Sequence, residues 1–389
     1  MLNVAGRGDG ASFRWLDRLV VRGRREARQR DHENDRRGDR HRHALGRPPL
    51  TKKLWSGDPE EKIWYDPALG GADAKLGRRI VGVDLDARRA RDDRGGEYAY
   101  EQVLLATGST PRRLGGTDDE VVYFRTLDDY RKLRAIAEGG AHVIVIGGGF
   151  IGSELAAALT GVGAKVTMVF PEATIAARVL PPDLGAFVTG YYRDKGVEVL
   201  AEQTVESVDK TRVELGSGRV LEADAVVAGL GILPVVEVAE GAGLAVDNGI
   251  VVDEYGRAGG RSDVFAAGDV ANFPSPVLGR RFRVEHEDHA RTHGRVVGAN
   301  MAGANEPYRH LPFFYSDMFD LGYEAVGDVD PRLAMLEAWE EPNRKGVVVY
   351  VDTERRPRGF LLWDTWGKVD AARELIRAAA PLEAGVLLG

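Results

Sequence analysis

The sequence predicts an α/β protein that ends in a smaller α+β domain, and three observations predict it. First, His142–Phe170 reads HVIVIGGGFIGSELAAALTGVGAKVTMVF. A β-branched apolar run, a glycine turn, a stretch of helix formers and a second apolar run follow one another, as in a βαβ unit whose first strand is buried on both faces. Second, two other apolar runs stop on small residues, LLATGSTPR at Leu104–Arg112 and FAAGD at Phe265–Asp269. Third, the pattern changes after about Pro307. GYEAVGDVD, LAMLEAWEE, KGVVVYVD and RGFLLW are strand-like runs at short spacing, and residues 369–379 are patterned as a helix.

The other elements follow in order. RRIVGVDLD and EYAYEQVLLATGS read as strands of a β-rich insertion ahead of the βαβ unit. After that unit, residues 183–195 carry helical periodicity. TRVELGSGRVLEA reads as a hairpin that turns on Gly216-Ser217-Gly218, and DAVVAGLG as a buried strand closing on glycines. DVFAAGDVANF is a short strand, and its helix is expected over residues 289–302.

Composition narrows the chemistry. The chain has 389 residues, 43% of them hydrophobic, and 49 glycines, which suits a protein of two or three domains with many tight turns. A net charge of −7 argues against a general nucleic-acid binder. There is no cysteine, so disulfides, thiolate metal sites, iron–sulfur ligation and a dithiol relay are excluded. Redox work by this chain would run through a bound cofactor. No apolar run is long enough to span a bilayer, and no signal-peptide core is present, so no membrane contact and a cytoplasmic location are expected.

Gly147-Gly148-Gly149-Phe150-Ile151-Gly152 fits G-x-G-x-x-G, here after a buried strand and at the start of a helix. Gly147 allows the tight turn, Gly149 lets backbone approach a pyrophosphate, and Gly152 lets helix and strand pack closely. The helix N-terminus faces the phosphates with free N–H groups. Glu172 stands 20 residues after Gly152, where a carboxylate accepts hydrogen bonds from a ribose 2′-hydroxyl. It repels a 2′-phosphate and favours NADH over NADPH, although Arg178 nearby opposes that preference. The bland alternative is a strand–helix turn with no ligand. Glu154, in the first helical turn, is either a favourable charge at a helix N-terminus or a carboxylate aimed at the nicotinamide side. The Gly108 and Gly268 strand ends permit close approach to a flat ligand, and Asp269 can bind ribityl hydroxyls; each alone is equally readable as an ordinary strand end. RVEHEDHARTHG, at residues 283–294, holds three of the eight histidines. His286, Glu287, Asp288 and His289 lack zinc-ligand spacing, so a histidine facing substrate or flavin is expected rather than a metal site.

These blocks, in this order, resemble the FAD-dependent pyridine nucleotide oxidoreductases, in the branch of apoptosis-inducing factor and its prokaryotic relatives, beside the ferredoxin and rubredoxin reductases. RPPLTKKLW, ATGSTPR, GGGFIGSELA, VFPEATIAARVLP, AAGDVANF, RVEHEDHA and YSDMFDLGYEAVG carry the likeness, which runs from Arg47 to about Ala380. The resemblance implies two Rossmann-like, doubly wound, three-layer dinucleotide-binding domains plus a C-terminal α+β domain. An FAD-binding domain spans residues 1–133 and 256–306, an NAD(H)-binding domain residues 134–255, and the last domain residues 307–389. It implies FAD and NAD(H) as cofactors, hydride passing from nicotinamide C4 to flavin N5, and the protein supplying orientation and electrostatics. Lys52 and Glu154 are the implied pair at the flavin, with His286 beside the ring as a third catalytic candidate. Arg47, Lys52, Thr107, Gly108, Arg125, Gly268, Asp269, Glu285, His286 and Tyr315 are implied at FAD. Gly147, Gly149, Phe150, Ile151, Gly152, Glu154, Glu172, Arg178 and Gly231 are implied at NAD. The electron acceptor stays open in this reading. The second enzyme reading is a ferredoxin or rubredoxin reductase of an oxygenase system. Its iron–sulfur acceptor protein would want a basic face, with Arg355, Arg356 and Arg358 as a hint of one. A homodimer is the other candidate partner. A redox-responsive NADH-binding protein with little turnover is the other class. Tyr315 stands where relatives often carry tryptophan, and the long C-terminal insert of the animal proteins is absent, so an apoptotic DNA-binding role does not carry over.

The N-terminal stretch departs from the resemblance. Gly6-x-Gly8-x-x-Ala11 is a formal match to the dinucleotide turn, but Asp9 sits inside it and no strand-like second segment is expected after it. Residues 14–47 hold twelve arginines and six acids. Three readings stay open for residues 1–46: a basic arm, a degenerate flavin turn, or a stretch read out of frame with the family pattern resuming near Arg47. Weak FAD binding is the expectation.

Overall fold

The apolar run ahead of the glycine turn is the middle strand of a parallel sheet. The computed structural model describes residues 2–3, 18–22, 44–65, 73–75, 77–115 and 121–382. Within them, His142–Ile146 lies between Ala225–Ala228 and Lys165–Val169, with Val122–Tyr123 and Glu198–Leu200 at the two edges, all parallel. Val143, Ile144 and Val145 are fully buried, and each contributes about 1.5–3 kcal/mol by leaving water. The helix Phe150–Gly161 makes the crossover to Lys165–Val169, and Pro182–Asp194 the crossover to Glu198–Leu200. A further helix, Leu127–Ala137, starts at a capping box in which Thr126 and Asp129 exchange side-chain and backbone hydrogen bonds, a device that contributes about 1 kcal/mol. The antiparallel strands Val205–Val208, Arg212–Leu215 and Val220–Glu222 cover one side of this core.

Contact patterns divide the chain into two units. This sheet belongs to the second, which comprises Arg47–Lys62, Thr110–Leu233 and Leu311–Gly389. Its C-terminal part is an antiparallel sheet in the order Phe313–Met318, Leu321–Gly327, Pro357–Trp363, Lys345–Val351 and Ala334–Glu341. The helix Val369–Ala378 packs Val369, Ala372 and Ile376 against it. The sequence predicted four of these strands and the helix. The fifth, Phe313–Met318, was hidden because its residues alternate poorly.

The first unit comprises Met1–Gly46, Ile63–Ser109 and Pro234–His310. Val264–Ala266 runs parallel to Gln102–Ala106, and the helix Glu287–Met301 places Val297 and Met301 against Leu104, Ala106, Phe265 and Ala267. Beyond Gln102–Ala106 come Arg18–Arg22, Leu2–Asn3 and Asp73–Ala74. The expectation that no strand follows the first is thereby corrected: Arg18–Arg22 (RLVVR) has an apolar β-prone centre and pairs with Gln102–Ala106. That pairing is antiparallel, whereas a doubly wound sheet would make it parallel. The turn residues Gly6, Gly8 and Ala11 lie outside the described residues.

Candidate functional site

The second unit holds the nucleotide turn. Gly147 has φ +115°, a conformation that favours glycine. A Cβ on Gly152 would sit 1.9 Å from the Gly147 carbonyl oxygen, so only glycine lets the helix start this close to the strand end. Gly149 is the opposite case. It is the N-cap of the helix, makes no side-chain cap, and a Cβ there would meet nothing within 4 Å. The helix thus begins beside open space at Gly149, as a pyrophosphate cradle requires. Glu172 and Arg178 are joined, Nη2 donating to Oε1 at 3.1 Å, with Arg178 almost wholly exposed. Gly231 has φ +82° and its carbonyl accepts from the Arg112 N–H at 2.9 Å. Phe150 meets Phe314 edge-on at 5.0 Å. These groups fit a dinucleotide.

Glu154 is buried (5% exposed) one turn into the same helix, and three donors converge on it. Lys52 Nζ and Ser316 Oγ both donate to Oε1 at 2.6 Å, and Thr51 Oγ1 donates to Oε2 at 2.5 Å. The donors come from two further elements. Thr51 and Lys52 end the short 3-10 helix Pro48–Thr51, preceded by Arg47, and Ser316 belongs to the strand Phe313–Met318. Lys52 Nζ also lies 4.9 Å from the centre of the Tyr315 ring. Tyr192 donates to the Ser153 carbonyl at 3.0 Å beneath the carboxylate. Burial, and then the Glu154 charge, push its phenol well above the ordinary range, and those of Tyr323 likewise. The structure therefore brings Lys52, Glu154 and Tyr315 together in one unit. Sequence reasoning missed Thr51 and Ser316 as donors; their only signal was adjacency to Lys52 and Tyr315 in stretches already singled out.

The first unit presents the two strand ends side by side. Gly108 (φ +67°) follows Gln102–Ala106, and Gly268 (φ +74°) follows Val264–Ala266. Ser109 Oγ donates to Asp269 Oδ2 at 2.9 Å, tying the two turns together, while Thr107 Oγ1 donates to the Val235 carbonyl at 2.6 Å. A carboxylate and two left-handed turns on adjacent parallel strands suit a flat ligand carrying hydroxyls, which is what FAD offers. His286 is the N-cap of Glu287–Met301, with Glu285 before it paired to Arg283. His286 and Glu285 belong to this unit, and Lys52, Glu154 and Arg125 to the other.

The hinted basic face is not assembled as expected. Arg356 is spent on Asp352 and Glu354, Arg355 Nε on the Leu382 carbonyl, and Arg358 stands 4.0 Å from Asp328. Short hairpin spacing places an acid within reach of Arg356 and Arg358, while Arg355 stays exposed.

Comparison with known proteins agrees with this geometry. The sequence profile of the pyridine nucleotide-disulphide oxidoreductases matches residues 22–294, and that of the C-terminal domain of mitochondrion-associated apoptosis-inducing factor matches residues 297–344. Mitochondrial apoptosis-inducing factor 1 from Dictyostelium discoideum is 33% identical, covering 87% of this chain and 72% of its own length. The ferredoxin–NAD(+) reductase component of the anthranilate 1,2-dioxygenase system from Burkholderia cepacia is 38% identical over 72% of each chain. Among solved structures, the covalent putidaredoxin reductase–putidaredoxin complex superposes with a TM-score of 0.80 at 26% identity, over 88% of this chain and 87% of that one. The ferredoxin reductase for the CYP199A2 system from Rhodopseudomonas palustris gives 0.74 at 29% identity, over 83% of each. With a profile match over most of its length, this chain belongs to the pyridine nucleotide-disulphide oxidoreductase family and is an FAD-dependent NAD(P)H oxidoreductase.

Proposed function

We propose that the chain oxidises NADH and passes the electrons to a small iron–sulfur protein. The buried Lys52–Glu154 pair carries this reading, because Glu154 stands one turn into the helix that opens on the nucleotide cradle. FAD, when bound, supplies the hydride acceptor and the means to release electrons singly. The chain's own residues orient and charge-balance. Gly149 and the helix N-terminus take the pyrophosphate. Glu172 accepts from the ribose hydroxyls, with Arg178 held to it. Lys52, ion-paired to Glu154 and beside the Tyr315 ring, would donate toward the flavin ring, with Tyr315 against it. In the first unit Asp269 would accept from ribityl hydroxyls beside the Thr107–Gly108 strand end, and Glu285 and His286 are the ring-side candidates; in the second, Arg47 and Arg125 would balance anionic groups. The absence of cysteine removes any thiol relay, so the electrons leave directly from the flavin. The two ferredoxin reductase relatives support an iron–sulfur acceptor. The functional division proposed is FAD binding in 1–133 and 256–306, NAD binding in 134–255 and a C-terminal domain in 307–389. No helix of the described residues is long and apolar enough to cross a membrane, and the cytoplasm is the proposed location.

Absorbance of the purified chain with FAD, recorded before and after NADH, tests the first half. The flavin band should bleach, and more readily with NADH than with NADPH. Bound flavin that NADH leaves oxidised refutes the hydride route. Ferredoxin-dependent reduction of cytochrome c tests the second half. Rapid turnover with a small organic oxidant and none with ferredoxin overturns the acceptor assignment alone. Slow reoxidation with a lasting charge-transfer band would place the chain with redox-responsive binding proteins instead.

A further inference from the structure

We propose that His293 is a positioning residue for the flavin site, holding the Gly268–Asp269 turn in place through its Nδ1. The inference rests on the reading of Asp269 as the acid that binds ribityl hydroxyls. Gly268 adopts φ +74°, and its backbone N–H donates to His293 Nδ1 at 3.3 Å. His293 is wholly buried on the helix Glu287–Met301, enclosed by Tyr308 at 4.5 Å, His289 at 4.8 Å and Phe273 at 5.2 Å between ring centres. A backbone N–H can be accepted only by an unprotonated ring nitrogen. The bond therefore sets the tautomer, with the proton on Nε2, an atom that is buried and makes no hydrogen bond. Burial holds the imidazole down to about 3, so the acceptor persists at any ordinary pH. The neighbouring His289 is likewise held well below its usual value, chiefly by burial and then by the other histidines around it. A left-handed turn at a strand end leaves its N–H outside the ladder, and a buried N–H without an acceptor drives the backbone to rearrange. His293 supplies the acceptor from a helix packed on that sheet. The bond fixes the residue just before Asp269, whose carboxylate is held from the other side by Ser109. The role is positional, since the ring lies beneath the turn.

Long-range proton–nitrogen correlation NMR on the wild-type chain reads the tautomer directly. A proton on Nε2 of His293 is expected, and a proton on Nδ1 overturns the proposal. Two variants then test the consequence. His293→Asn keeps an acceptor atom on the same branch, whereas His293→Leu fills similar space without one. Titration of the flavin-free proteins with FAD should show affinity lowered by about tenfold or more in His293→Leu, and by less than about threefold in His293→Asn. Equal affinity in wild type and His293→Leu overturns the proposal. So does an equal loss in both variants, which would mean that the ring serves packing alone. Should the leucine variant fail to fold, the tautomer still decides. A wild-type chain that takes up no FAD overturns the flavin reading instead. In that case hydrogen exchange at the Gly268 amide settles the clamp: faster exchange in His293→Leu supports it, and unchanged exchange overturns it.

Discussion

Replacing Lys52 by methionine tests the ion pair without any cofactor present. Lys52 Nζ and Glu154 Oε1 are 2.6 Å apart, with side chains 8% and 6% exposed. At an effective dielectric of about 20 their gross attraction is roughly 6 kcal/mol, most of it offset by the cost of removing both ions from water. The loss on removing one partner is a different quantity. Methionine leaves the Glu154 carboxylate buried with only the Ser316 and Thr51 hydroxyls as donors. Breaking a buried pair from one side costs about 3–5 kcal/mol. Glu154→Gln strands Lys52 in the same way, whereas the double variant removes both charges. Its loss should fall short of the sum of the single losses by about 2 kcal/mol or more. Urea unfolding followed by tryptophan emission reads this, because Trp55, Trp339, Trp363 and Trp366 belong to the same unit as the pair. Single losses under about 1 kcal/mol that simply add would show that the two groups do not act as a buried ion pair. The charge balance assigned to Lys52 would then fail with it.

Other expectations follow from the same geometry. Ser316→Ala should cost about 1.5–3 kcal/mol in the same unfolding assay, as loss of a hydrogen bond to a charged acceptor; no change would show that the hydroxyl is spent elsewhere. Gly149→Ala should leave thermal stability nearly intact, since its methyl meets no protein atom within 4 Å, yet weaken NADH binding; Gly152→Ala should destabilise by about 3 kcal/mol or more, its methyl falling 1.9 Å from a carbonyl oxygen. Equal melting temperatures for the two variants would refute the cradle geometry. Glu172→Ser should release Arg178 and raise the ratio of NADPH to NADH kcat/KM about tenfold, at little cost in stability because the pair is exposed. His289 and His293 titrate near 6.5 when unfolded and well below it when folded. Below about pH 6 the unfolded chain therefore binds more protons, and stability falls as pH falls, by about 1.4 kcal/mol per pH unit for each histidine. The urea midpoint between pH 6 and 4 should drop less steeply in His293→Asn, and identical slopes would contradict the buried neutral state.

Strong periodicity made the parallel core readable. Val143–Ile146 is apolar and β-branched, Ala225–Ala228 is apolar with two valines at its centre, and each run ends on a glycine, so burial on both faces leaves a direct mark on the sequence. The glycine turn was readable for the same reason: steric demands at Gly147 and Gly152 admit one residue type. The helix Leu127–Ala137 was missed although it carries a capping box, because six of its eleven residues, Asp128, Asp129, Arg131, Lys132, Arg134 and Tyr130, are polar or amphipathic and mask the apolar stripe. The donors to Glu154 were illegible for a different reason. Thr51 and Ser316 are 103 and 162 residues away from it, and nothing local in a threonine or serine reports where its hydroxyl points. The Gly268–His293 bond has the same character: three nearby histidines suggested a facing ring, while the structure uses one of them beneath the turn.

The N-terminal strands sharpen the expectation of weak FAD binding into a test. In a doubly wound sheet the ligand binds beyond the carboxyl ends of parallel strands, where the turns cluster. Thr107 and Gly268 follow two such parallel strands, Gln102–Ala106 and Val264–Ala266. Arg18–Arg22 runs antiparallel to Gln102–Ala106, and Leu2–Asn3 runs parallel to Arg18–Arg22. The carboxyl end of Leu2–Asn3 therefore points toward the opposite edge from Thr107 and Gly268. Among the described strands, the carboxyl ends that meet beside Asp269 are therefore those of Gln102–Ala106 and Val264–Ala266, and Leu2–Asn3 supplies none there. Gly8→Val is the decisive substitution. At a working pyrophosphate turn a branched side chain blocks backbone approach, and affinity should fall by at least about tenfold, or 1.4 kcal/mol. Here FAD affinity should be weak in the wild type and unchanged in the variant, while Asp269→Ala lowers it further. A tenfold loss in Gly8→Val would show that Gly8 stands at the diphosphate, and the expectation of weak FAD binding would fall.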